Sequence, residues 1–177
     1  MQKIHFTRKE KIALLIAGLI FIALFISSSM TYHEQKLSST TLNHHFSLLE
    51  NLLKDLTIVY GGVTHNVKTD GTAGFTQFFI RKLAHFSSFF ILASSLFVGL
   101  KRLFFNKILA VIFIFPIPVL VAVFDEYHQF LTGDRTPSVH DVVLDSTGAI
   151  CGIAIWLLIE YLFKKYHKKN NEIGNCN

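Results

Sequence analysis

Four blocks of apolar residues, each too long for an ordinary core helix, constrain this chain more than any other feature. They run from about Ile12 to Ile26, Phe78 to Leu100, Ile108 to Leu131 and Val139 to Phe163. A helix needs roughly 20 mostly apolar residues to cross a bilayer core about 30 Å thick. The last three blocks reach that length, and the first does so when Ser27–Met30 is included. The expected fold is therefore all-α: a polytopic bundle of four transmembrane helices at about 11–30, 76–100, 107–131 and 139–163. Residues 1–177 form one membrane domain. Only 16% of the residues are charged, against about a quarter in soluble domains, so a soluble fold is excluded.

The first block also fits a secretory leader, with Lys3, Arg8, Lys9 and Lys11 ahead of it and Ser27-Ser28-Ser29 as a small-residue cleavage site. On either reading the segment after Met30 lies outside. Basic residues near the helix ends set the orientation. Lys3, Arg8, Lys9, Lys11, Lys101, Arg102, Lys107, Lys164, Lys165, Lys168 and Lys169 are eleven of the 17, and one topology puts all of them in the cytoplasm. The same topology leaves nine of the 12 acidic residues on the other side. Both termini are thus expected inside. The net charge of +5 follows from these anchors, so nucleic acid is not an expected partner. Cys151 and Cys176 are expected as free thiols.

The intervening stretch 31–75 is an extracytoplasmic loop. Leu42, Phe46, Leu49, Leu53, Leu56 and Tyr60 recur in it at helical spacing, which predicts an amphipathic helix on the outer surface. Gly61-Gly62 should end that helix, and Val63–Gly74 reads as plain loop. In the third block Pro116 and Pro118 predict a kink or a local opening.

Charge enters the apolar blocks at one level. Arg81 lies 20 residues from Lys101, Glu126 19 from Lys107, and Asp145 19 from Lys164. At 1.5 Å per residue each sits about 28–30 Å from the inner anchors, near the outer edge of the hydrocarbon. Helical spacing aligns Arg81, His85 and Ser88 on one helix, Glu126 and Gln129 on the next, and Asp141, Asp145, Gly148 and Gly152 on the last. The glycines form a G-x-x-x-G face that admits a second helix closely and is a possible homo-oligomer contact. Ionisable groups at this depth need partners or water, so the stripes should face inward. The expected pairs are Arg81 or Lys82 with Glu126, and Arg135 with Asp141 or Asp145.

Interhelical salt bridges alone are the simpler reading, yet two carboxylates on one stripe plus Glu126 and His85 exceed what pairing requires. His85, Glu126, His128, His140, Asp141 and Asp145 are the right residue types for a cation. No H-E-x-x-H or Cys/His spacing supports one, and Arg and Lys nearby oppose it, so no metal or cofactor is expected. His128 and His140 are expected at the head-group level, and His44, His45 and His65 on the surface. His85 with Glu126 or Asp145 forms a candidate acid–base set. No nucleophile elbow or P-loop accompanies it. A transporter would need more helices or a paired repeat.

R-K-L-A-H at Arg81–His85, E-x-x-Q at Glu126–Gln129, and Arg135 followed by Asp141 and Gly148 together resemble the VanZ family. The resemblance covers about Phe79–Ile155. It implies a small multi-pass protein of the bacterial plasma membrane, associated with low-level teicoplanin resistance. Its pattern falls on Lys82, His85, Glu126, Gln129, Arg135, Asp141 and Gly148. Where the family usually has Asn, this chain has Asp145, a further negative charge. The expected ligand is a membrane lipid or lipid-linked cell-wall precursor, held by Arg81, Lys82, His85, Glu126, Gln129, Arg135, Asp141 and Asp145.

Overall fold

The structure is a computed structural model that describes residues 5–31, 34, 46–132 and 138–174. It contains four helical segments long and apolar enough to cross a membrane: Arg8–Ser29, Val67–Leu103, Lys107–Leu131 and Val139–Lys168. Leu15, Leu19, Ile108, Leu120, Val143 and Leu158 are exposed on their outer faces. Apolar surface spread along every helix is what a hydrocarbon solvent requires.

Helix α1 (Arg8–Ser29) opens with a capping box, in which the Thr7 N–H donates to Glu10 and the Glu10 N–H to Thr7 Oγ1. Ala13, Ala17, Leu24 and Ser28 are its buried residues. They share one stripe by helical spacing, and it faces the bundle. The first block is thus a full member of the core.

The segment after α1 differs from its expected form. A short helix α2 covers only Ser47–Leu53, and two strands follow: β1 (Ile58–Tyr60) and β2 (Val63–His65), paired antiparallel. The long amphipathic helix is therefore not found over its C-terminal half, and Leu42, His44 and His45 lie outside the described residues. The cause is local. Ile58 and Val59 are β-branched, and Gly61 and Gly62 take φ of 61° and 79°. That conformation suits a two-residue hairpin turn. Val63–Gly74 is not plain loop either, because β2 leads through the Asn66 cap into α3 (Val67–Leu100). Gly71, at φ 72° and ψ 162°, breaks the first turn of α3 from the rest.

A 3-10 turn (Lys101–Leu103) ends α3, and α4 (Lys107–Ile114) and α5 (Pro116–Leu131) make the third span. Phe115 keeps helical angles at the junction (φ −58°, ψ −38°). Pro116 and Pro118 have no N–H to donate, so the path continues while the hydrogen-bond ladder opens. The last helix, α6, spans Val139–Gly174.

The main packing pair is α3 with α6. A Cβ on Gly148 would stand 2.4 Å from the Phe86 carbonyl oxygen, and one on Gly152 2.4 Å from that of Phe90. The G-x-x-x-G face does admit a helix closely, but that helix is α3 of the same chain. Gly148 and Gly152 thus face Phe86 and Phe90 of α3. Ala17, Leu24, Phe89, Leu92 and Ala122 form one apolar cluster of the core. A second, made by Ala93, Phe97, Ala110, Ile114, Ala149 and Ile153, lies nearer Lys101.

Candidate functional site

The hairpin end of the bundle gathers polar groups from four elements, three of them charged. Lys82 on α3 pairs with Asp141 in the first turn of α6, and the Tyr60 hydroxyl of β1 donates to the same Asp141 oxygen. The ammonium also lies 4.6 Å from the centre of the Tyr60 ring, within cation–π range. Burial, then the hydrogen bond to Asp141 and the charges of Asp141, Asp145 and Glu126, hold the Tyr60 phenol above the ordinary tyrosine range. The hairpin therefore caps the charged layer with a neutral donor.

One turn deeper, His85 Nδ1 stands 3.5 Å from Asp145 Oδ2 and 3.9 Å from Asp125 Oδ2. Gln129 Nε2 donates to Asp125 Oδ2 at 2.6 Å, an i to i+4 bond along α5. Asp125 is 3% exposed and Asp145 0%. Among the described residues, neither oxygen of Asp145 accepts a hydrogen bond. Buried polar groups are rarely left so.

The expected polar layer is thus assembled, with different partners. Glu126 is held by a backbone group: its carboxylate accepts the Ser138 N–H at 2.8 Å and ties α5 to the start of α6. Lys82 takes Asp141, and Arg135 lies outside the described residues. Glu126 stands apart from the His85 contacts, whose carboxylate partners are Asp145 and Asp125. Arg81 lines a cavity of about 220 Å³ with His65, Asp70, Gly74, Gln77 and Phe78, between the hairpin and α3. His128 is half-buried. Its Nδ1 lies 2.9 Å from Ser28 Oγ, and its ring stacks on Phe25, so it joins α5 to α1.

Two members escaped the sequence reading. Asp125 sits beside Glu126 and four residues before Gln129, so the run is D-E-x-x-Q. The i to i+4 relation to Gln129 was the available signal for its inward aim. Tyr60 carried no such signal, because its helical register with Leu56 masked a place in the hairpin.

Compared with known proteins, the chain has no match among curated proteins and none among solved structures. A family model described as VanZ/LLP1 matches residues 13–160. That span begins inside α1 and ends within α6, so it takes in every charged residue of the site. With four membrane-length helices and a match over most of its length, this chain belongs to the VanZ/LLP1 family.

Proposed function

We propose that this VanZ-like membrane protein works in the bacterial plasma membrane, hairpin end outward, as a non-catalytic envelope factor. It would hold the polar head of a lipid or lipid-linked cell-wall intermediate, and through that contribute to low-level teicoplanin resistance. The observation that carries the reading is the cavity lined by Arg81, Gln77, His65 and Asp70, next to the Lys82–Asp141 pair. A guanidinium at the edge of an apolar bundle suits bidentate contact to phosphate. Gln77, His65 and Asp70 offer donors and acceptors to a sugar or amine. The orientation rests on the basic residues at the opposite end.

The test is to purify wild type and Arg81→Ala from the same host in mild detergent and identify retained lipids by native mass spectrometry. Wild type should carry a phosphate-bearing lipid that the variant loses at least tenfold. Equal lipid on both proteins sinks the proposal.

One observation favours a second reading, an enzyme acting on the same head group. His85 lies between Asp145 and Asp125, an arrangement in which an imidazole moves protons. Envelope lipids compared with and without the protein decide it, since catalysis leaves a new or missing species.

A further inference from the structure

The donor atoms of His85, Asp125 and Asp145 all lie within 4.8 Å of one another. They come from three different helices, α3, α5 and α6, and converge in a buried space. We propose that this trio is a site for one divalent transition-metal cation, of the class that takes mixed nitrogen and oxygen donors.

The geometry fits such an ion. Ligands about 2.1 Å from a common zinc ion at tetrahedral angles are about 3.4 Å apart. Here His85 Nδ1 is 3.5 Å from Asp145 Oδ2 and 3.9 Å from Asp125 Oδ2. Small side-chain rotations close the remaining difference. One imidazole and two carboxylates also leave at least one coordination position open, which is the pattern of a working site and not of a closed structural one.

A second observation points to a ligand independently. Asp145 is 0% exposed, and neither of its oxygens accepts a hydrogen bond among the described residues. It is aimed at His85, and Asp125 approaches His85 from another helix. Two buried carboxylates share one histidine, and a buried carboxylate charge without a full partner is costly. The permanent cation of the neighbouring turn, Lys82, is committed to Asp141. A divalent ion neutralises both carboxylates and satisfies the bare oxygens of Asp145 at once. The imidazole selects for zinc- or manganese-like ions over magnesium and calcium, which prefer all-oxygen sites. The carboxylate donors would hold it one turn below the Lys82–Asp141 pair. Sequence spacing could not disclose the site, because its ligands are one residue from each of three helices.

The experiment uses the full chain in detergent, with any affinity tag removed, passed through chelator and then metal-free buffer. It is offered zinc or manganese, desalted and analysed by inductively coupled plasma mass spectrometry. Wild type should retain about one ion per chain. His85→Gln, Asp125→Asn and Asp145→Asn should each bind at least about tenfold more weakly, since loss of a direct ligand costs no less than loss of its supporting shell. A His167→Ala variant, at an exposed position of α6, controls for adventitious binding at surface histidines and should retain the ion as wild type does. Each variant is scored only where it elutes as a single species, and three separate ligand variants keep the test open if one misfolds. Wild type that retains no ion overturns the proposal, as do ligand variants that retain as much as wild type. The inference is independent of the head-group reading, because retained metal and retained lipid are measured separately.

Discussion

The two ends of this bundle treat charge in opposite ways. At the basic end Glu160 of α6 is clasped by both Lys101 and Lys107, and Arg102 lies 3.6 Å from Glu10. Cations outnumber acids there, and the Lys101 and Lys107 side chains are 30% and 42% exposed, so water shares the burden. At the hairpin end Asp125, Glu126, Asp141 and Asp145 are packed with Lys82, His85 and Arg81. Asp125, Glu126 and Asp145 are buried. The basic end is a wet clamp that fixes helix ends. Among the described residues the hairpin end keeps acid in excess where desolvation penalises it, and excess of that kind marks a working site more than a brace.

The sharpest way to break this contrast is to separate α3 from α6 beneath the hairpin-end cluster. Gly148→Leu drives a side chain into the Phe86 carbonyl. It should cost about 3 kcal/mol or more, at or beyond the upper range for overpacking. The check is thermal unfolding in detergent, with loss of the single elution peak. Full stability in that variant would show that the α3–α6 approach is looser than described.

Next in size is Lys82→Met, which leaves Asp141, among the described residues, with the Tyr60 hydroxyl. Removing one partner of a largely buried pair should lower stability by about 2–3 kcal/mol. Adding Asp141→Asn should recover more than half of that loss, a coupling read from a double-mutant cycle. Tyr60→Phe removes the other donor to Asp141 and should cost about 1–2 kcal/mol. It also has a pH signature. The folded phenol titrates above its unfolded value, so its contribution is complete below the unfolded pKa and is lost as pH rises through the folded one. Alkaline titration of unfolding should therefore separate wild type from Tyr60→Phe near neutral pH and narrow the gap at high pH.

The smallest effect belongs to the basic end. Glu160→Gln should cost under about 1 kcal/mol, because Lys101 and Lys107 turn to water when released. A loss as large as that of Lys82→Met would erase the distinction between the ends.

How much of this was legible beforehand follows from the kind of signal each element carries. The four spans were readable because bilayer thickness fixes helix length, and helical rise put Arg81, Glu126 and Asp145 toward the same end of their helices. The inward face of Asp141, Asp145, Gly148 and Gly152 followed from spacing alone. Partner choice was not readable. Spacing places Lys82 and Glu126 at similar depth, but the hairpin brings Tyr60 onto Asp141, and Ser138 offers Glu126 a backbone N–H. Those pairings depend on rotation and tilt of whole helices, which one sequence does not encode locally. The hairpin was misread for a different reason. Leu53, Leu56 and Tyr60 keep a helical period, and the positive φ at Gly61 and Gly62 overrides it.

The most direct test of the central claim, that the hairpin end is the working end, is teicoplanin susceptibility of a null host. The host would carry wild type, Arg81→Ala, Glu126→Gln or Glu160→Gln at equal membrane levels. Wild type and Glu160→Gln should raise tolerance alike, while Arg81→Ala and Glu126→Gln should resemble empty vector. Tolerance preserved in both hairpin-end variants, or lost equally in Glu160→Gln, would contradict it.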